Sequence, residues 1–435
     1  MNQRKTFFQF VIPSVMAFAL SGVYTIVDGF FIGNSLGDPG LASITLGCPI
    51  SAFIQAVGTG VGLSGAIRFT ILRGQREEEN AASCMSSTIL LLTVVSFLLT
   101  CLVLLFLAPL LRLLGAEGDL LPLTAEYVKI IALGAVFQIF ATGLVPFIRN
   151  LDGAAFAMIA MIAGFLTNIL LDYLFVWVLP WGMGGAAWAT IIGQGVTMLA
   201  AILYLRKKKV GFSVPPLQTI LSFFRAILKI SVAPFGLTFS PQITAILMNR
   251  FFMFYGGEQS VAAYGCIAYI TAIVYLLLQG VGDGSQPLIS RYFSENRLYD
   301  MKETRRLAYL LSAGIALLSM AGLGIARNHV GILFGASAAT NVDVSNYLLL
   351  FLIPLLALSY TRITTAFLYG TEKAVMSYLL VYAEPLFTFV SLLVLPRVFE
   401  SGLQGVWIAV PLAQAITWCV ALKIKRRADR QMLLP

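Results

Sequence analysis

The chain has 435 residues, of which 59% are hydrophobic and 11% charged, with a formal net charge of +9. Soluble domains carry about 25% charged residues. This composition therefore excludes an ordinary soluble protein and calls for a polytopic membrane protein with one membrane domain.

Taken in chain order, apolar runs predict twelve spans. The first, 7–33, follows "MNQRK" in the manner of a secretory leader, but it continues to residue 33 without a small-residue cleavage site and reads as a span. Pro13 removes a backbone donor within it and offers a bend. Tyr24 and Asp28 lie four residues apart and so share a helical face. "GDPG" at 37–40 turns the chain into the span 42–68, and the acidic run "REEEN" at 76–80 opens 83–108. Spans 122–147, 154–179 and 184–205 follow, with Asn168 and Asp172 on one face of the fifth and Thr190 in the sixth. After the polar break "RKKKVGFSVPPLQ" come 226–254, 260–290, 304–326, 344–369, 374–396 and 403–423. Asp283 in "GVGDGSQP" and Glu384 in "YAEPLF" are further carboxylates at membrane depth. A charge at the bilayer centre costs roughly 2.5–3.5 kcal/mol on insertion scales, so each acid needs a partner or a task.

The basic residues identify the sides. Arg4 and Lys5, Arg68 to Arg76, Arg149, the run 206–209, Arg225, Lys229, Arg291 to Arg306, Lys373 and the tail "KIKRRADR" make 23 of the 29, and all fall in loops of one side. The positive-inside bias places those loops and both termini in the cytoplasm, and it explains the net charge without a nucleic-acid partner. Cys48, Cys84, Cys101, Cys266 and Cys419 show no CxxC or pairing pattern and read as packing. His329 stands alone near an outward loop, which does not make a metal or catalytic centre.

The break divides the spans six and six, predicting an N-lobe over 1–210 and a C-lobe over 211–435. An internal repeat supports this. "GMGGAAWATIIGQ" at 182–194 matches "GLQGVWIAVPLAQ" at 402–414, and "GTGVGLS" from Gly58 is set against "GVGDGSQ" from Gly280. Pro13 is set against Pro234, and Phe30-Phe31 against Phe251-Phe252. Because six is even, the halves enter the membrane alike, which makes the repeat parallel. The repeat also isolates a polar cluster found in the first half only: Asp28 lies over Asn249, Tyr24 over Ala245, Asn168 over Thr388, Asp172 over Leu392 and Thr190 over Val410. Two carboxylates with an amide and hydroxyls could exchange a proton, or could coordinate a small hard cation such as Na⁺. Alternatively each acid satisfies a helix–helix hydrogen bond or pairs with Arg149 or Arg362.

The stretches "VDGFFIGNSLGDPGLAS" at 27–43, 149–194 and "GVGDGSQPLIS" at 280–290 resemble the multidrug and toxic compound extrusion (MATE) family over nearly the whole chain. The resemblance implies antiport of amphipathic, cationic organic compounds driven by H⁺ or Na⁺, in a protein working as a monomer. It extends to the DinF-like branch, whose N-lobe cation cluster would correspond to Asp28, Tyr24, Asn168, Asp172, Thr190 and the fourth-span Tyr127, with Na⁺ ligands among Asp28, Asp172, Asn168 and Thr190. Pro13 would be the position at which the first span bends as a conformational switch. The NorM-like branch carries acids in the seventh and tenth spans; here the seventh offers Gln242 and Asn249, and neither span has an acid.

The resulting expectation is an all-α, twelve-span exporter of the bacterial plasma membrane, a non-enzyme without a cofactor, operating by alternating access. Asp283, Glu384 and Arg149 are candidates for a secondary or substrate site. A flippase for lipid-linked substrates is the alternative, but it calls for several cavity Arg and Lys where this chain offers Arg149, Arg250 and Arg362. An intramembrane enzyme would need a nucleophile–base pair or metal cluster, for which no motif is present.

Overall fold

The computed structural model describes residues 3–211, 213, 215–334 and 336–431. Its described elements are helical: α1 (Gln3–Gly74), α2 (Glu78–Leu105), α3 (Leu107–Leu113), α4 (Leu120–Leu133), α5 (Ala135–Asn150), α6 (Ala154–Asp172), α7 (Gly182–Lys207), α8 (Leu217–Ser294), α9 (Leu298–Leu333), α10 (Ala338–Leu352), α11 (Leu355–Gly370), α12 (Ala374–Val398) and α13 (Gly402–Gln431). A bilayer offers the backbone no hydrogen-bond partners, so long helices are the form such apolar runs must take.

The helices resolve into twelve spans. Among the described residues nine helices are long and apolar enough to cross, including the two parts of α1, Gln3–Gly37 and Pro39–Gly74. The pairs α4–α5 and α10–α11, bent by 54° and 46°, supply two more, and the break of α8 at Gly257 makes one helix into two spans. Large side chains such as Phe97, Leu318 and Ile325 face outward, as a lipid-facing surface requires.

The backbone itself repeats. Gly37 (φ 63°, ψ −156°) and Gly257 (φ 65°, ψ −165°) break their long helices with the same left-handed geometry, which glycine adopts without Cβ strain. Arg76 and Asn296, and Asp152 and Glu372, are likewise left-handed pairs, each separated by 220 positions. This spacing corrects two sequence registers. Gly60 and Gly62 correspond to Gly280 and Gly282, so the match beginning at Gly58 was shifted by two residues, and Asp28 falls opposite Met248 rather than Asn249. Closely spaced glycines and aromatics allow such slips, whereas the helix-breaking residues do not. No acid stands opposite Asp28 in either register.

Two compact units can be described separately. One comprises 12–238 with 290–297, and the other comprises 1–11, 239–289 and 298–435. In the first, α7 packs on α4, α5 and α6 around a core containing Ile54, Met85, Leu92 and Phe147. There the Pro39–Gly74 part of α1 approaches α5 so closely that a Cβ on Gly62 would lie 2.1 Å from the Gly143 Cα. In the second, α12 lies along α13 and α9 against α10 and α11, with Trp407 stacked on Tyr347 at 4.2 Å. One boundary between the units, Val11/Ile12, falls one residue before Pro13. No non-helical residue interrupts α1 at Pro13.

Candidate functional site

Aromatic contacts set the first span against α6. The Tyr24 ring stacks on Phe165 at 5.2 Å and 6°, while Phe31 meets Tyr173 at 6.3 Å and Trp177 at 5.8 Å. Between these contacts the carboxyl groups of Asp28 and Asp172 lie within hydrogen-bonding reach of each other. Asp172 is the last α-helical residue of α6, which then widens into a π-helix over Tyr173–Val178. Such widening is frequent where a helix serves a site.

The remaining residues close around this pair. Asn168, one turn before Asp172, donates a long 3.5 Å hydrogen bond from Nδ2 to the Thr190 Oγ1, and Thr190 donates to the Ala186 carbonyl at 3.0 Å. This approach of α6 to α7 depends on small residues: a Cβ on Gly193 would lie 2.7 Å from the Gly164 carbonyl oxygen and 3.0 Å from the Asn168 Cβ. The Tyr24 hydroxyl lies in the neighbourhood of Thr190. Tyr127 of α4 is buried against Gly47, near Asp28 and Tyr24. The structure thus brings Tyr24, Asp28, Tyr127, Asn168, Asp172 and Thr190 together within one unit.

Four oxygens of this cluster lack a hydrogen-bond donor among the described residues: Asp28 Oδ1, both carboxyl oxygens of Asp172, and Asn168 Oδ1. Within this unit neither aspartate forms an ion pair with Arg149. Arg149 instead places its guanidinium 5.4 Å from the Phe18 ring centroid and contacts the Met161 sulfur at 3.5 Å. Buried acceptors without donors cost stability, and a set converging from two helices has the chemistry to accept a proton or a hard monovalent cation.

The other acids have different surroundings. Asp283 accepts a 3.1 Å hydrogen bond from the Tyr369 hydroxyl and is buried. Glu384 accepts from Gln414 at 2.9 Å, and the same Gln414 Nε2 donates to the Tyr275 hydroxyl at 2.6 Å. Sequence reasoning missed two neighbours of the N-lobe cluster. Cys48 sits beside Asp28, although the scatter of cysteines suggested only packing. Phe165, which fixes Tyr24, carries no polar signal. The repeat could have drawn attention to Cys48, since Ala268 occupies its counterpart.

A family model described as MatE matches residues 13–174 and 219–413, one segment for each half of the repeat. The chain belongs to the MatE family. Among MatE relatives, the "Multidrug export protein MepA" of Staphylococcus haemolyticus is 25% identical, over 97% of this chain and 92% of the relative. The protein of that name from Staphylococcus aureus is 26% identical, over 79% and 76% respectively. A solved structure described as the outward-facing conformation of a multidrug resistance MATE family transporter shares the fold. It has a TM-score of 0.92 at 22% identity and covers 100% of this chain and 98% of its own.

Proposed function

We propose that this chain is a secondary active exporter of amphipathic organic cations, driven by the inward flow of H⁺ or Na⁺ through a site formed by Asp28, Asp172, Asn168 and Thr190, with Tyr24 and Tyr127 framing it. The observation that carries the reading is the convergence, at membrane depth, of four oxygens from Asp28, Asn168 and Asp172 that have no hydrogen-bond partner among the described residues. The matching of the chain to proteins named for multidrug export supports the transported class.

In this reading the cation neutralises or bridges the two aspartates and draws the first span onto α6. Binding can shift the balance between inward-open and outward-open states only through a difference in affinity for the two. Pro13 lacks the N–H that would bond the Gln9 carbonyl, which weakens the first span beside the Val11/Ile12 boundary and makes it the bending point. The halves 1–210 and 211–435 act as the two moving lobes of a monomer in a bacterial plasma membrane, with both termini cytoplasmic.

The test is dye efflux from proteoliposomes under a pH gradient or a Na⁺ gradient imposed separately. Asp28→Asn and Asp172→Asn are expected to insert normally and lose gradient-driven efflux. Efflux at the wild-type rate in both variants would remove the assignment.

A further inference from the structure

The two halves of the repeat end differently. The 220-residue spacing sets the last residue of α7, Lys207, opposite Arg427, yet α13 continues four residues further, to Gln431. Ala428 and Asp429 there take the places of Lys208 and Lys209. The extension is docked. Ala428 is buried, and Asp429 accepts paired hydrogen bonds from Arg305 of α9, a position that Met85 occupies in the first half. Asp429 is the sole acid of α13 and also pairs with Lys425, so the negative charge of this helix is spent on its docked side.

The other side is basic. Lys423, Arg426, Arg427 and Arg430 are spaced so that they share one helical face, and all four are exposed. None of them is in an ion pair among the described residues. Toward the middle of α13 the same face continues as Leu412, Ala415 and Cys419, which are exposed and uncharged, so an outward strip suited to lipid turns basic at the end of the span. About 20 helical residues cross the hydrocarbon core, which, counted from Leu403, puts Lys423 at its edge. Arg430 lies roughly 10 Å further along the axis. The basic strip therefore traverses the headgroup layer, where lipid phosphates are its neighbours. Polybasic segments just beyond a span gain about fivefold in affinity for anionic lipid per base.

We infer that Lys423, Arg426, Arg427 and Arg430 form a binding surface for the phosphate groups of anionic phospholipids, oriented by the Arg305–Asp429 contact on the opposite side of the helix. In the topology proposed above these lipids belong to the cytoplasmic leaflet, whose surface potential is negative. Three arginines suit the task because the planar guanidinium fork takes two oxygens of one phosphate. The partner is a component of the bilayer and not the transported compound, so the surface stands or falls independently of the coupling site.

The experiment uses the full-length protein with Cys48→Ser and Cys101→Ser, which leaves Cys419 as the exposed thiol among the described residues. A bimane fluorophore on Cys419, one turn from Lys423, reports the lipids beside the strip. The protein is reconstituted in phosphatidylcholine vesicles containing a minor fraction of nitroxide-labelled phosphatidylglycerol or, in parallel, nitroxide-labelled phosphatidylcholine. Quenching is expected to show phosphatidylglycerol enriched about fivefold or more over phosphatidylcholine, and KCl should reduce the enrichment. Arg426→Gln/Arg430→Gln, confined to the exposed face, should lower the preference about threefold, and neutralising all four bases to Gln should bring it within about twofold of none. Equal quenching by the two lipids in the parent protein, or a preference that persists without the four bases, overturns the inference. Inorganic phosphate that abolishes the preference beyond the effect of KCl at equal ionic strength would make the strip a site for free anions, and overturns it as well.

Discussion

Asp172→Asn separates stability from transport, because the structure predicts opposite effects on the two. Both Asp172 oxygens are buried without a donor, and so is the facing Asp28 Oδ1. A buried orphan polar group costs about 1–3 kcal/mol. Asparagine keeps the shape of the side chain, removes the like charge and offers an Nδ2 that can donate to Asp28. A hydrogen bond to a charged group contributes about 1.5–3 kcal/mol. These terms overlap, so a net stabilisation of about 2 kcal/mol is expected in the absence of a bound cation. The assay is the fraction of protein remaining monodisperse by size exclusion after heating, in alkaline Na⁺-free buffer so that neither proposed coupling ion occupies the pair, paired with dye efflux. The variant should melt higher than wild type and transport nothing. If Na⁺ is the coupling ion, adding it should raise the wild-type midpoint by mass action and leave the variant's almost unchanged. A lower midpoint for Asp172→Asn in Na⁺-free buffer would refute the reasoning, since it would mean that the native carboxylate is already satisfied.

The remaining predictions concern the scaffold and its turns. Gly62→Ala would place a methyl 2.1 Å from the Gly143 Cα and 2.2 Å from its carbonyl oxygen, atoms that no rotamer change can move. Overpacking of this kind costs about 1–3 kcal/mol, and the upper end is expected as a lowered thermal midpoint; Gly195→Ala, whose nearest atom would be Phe137 Cδ1 at 3.6 Å, serves as the tolerated control. Arg305 makes paired hydrogen bonds of 2.7 and 3.3 Å to Asp429 and stands 4.3 Å from the Phe367 ring centroid. A thermal double-mutant cycle between Arg305→Ala and Asp429→Ala should give a coupling of about 1–3 kcal/mol, and a value near zero would show that the pair does not hold the end of α13 against α9. At the α11–α12 turn, burial pushes the Lys373 ammonium below its ordinary value while Asp429 raises it part of the way back. At mildly alkaline pH more of Lys373 is therefore the neutral amine, so it should acetylate faster than an ordinary exposed lysine, and Asp429→Asn should speed the reaction further. Slower labelling in that variant would reverse the assigned sign.

The spans were legible because lipid leaves the sequence little choice: each crossing must be a long apolar helix, and the widest basic break marks the middle. The N-terminal cluster was legible for the complementary reason. Asp28 and Asp172 are costly where they stand, and spacing by four put Tyr24 and Asn168 on their faces. What composition could not reveal depended on contacts between distant segments or on subtle backbone breaks. The bends at Gly134 and at Ile353-Pro354, the short α3 and the π-helical widening after Asp172 lie inside continuous apolar runs, where hydropathy does not change. Phe165 and Cys48 join the site through packing, which no local periodicity encodes. Glu384 stands out in the sequence as an intramembrane acid, but its hydrogen bond from Gln414, and the one that Gln414 makes to Tyr275, need α8, α12 and α13 brought together. The glycine register slipped by two because repeated GxG patterns align almost equally well at neighbouring offsets, whereas Gly37 and Gly257 are distinguished by conformation.

The most direct test of the central claim is transport of ethidium from proteoliposomes holding wild-type, Asp28→Asn or Asp172→Asn protein, with a pH gradient or a Na⁺ gradient as the sole driving force. The account predicts gradient-driven movement in the wild type under at least one of the two gradients and none in either variant. Movement that persists in both variants, or a wild type indifferent to both gradients, would contradict it.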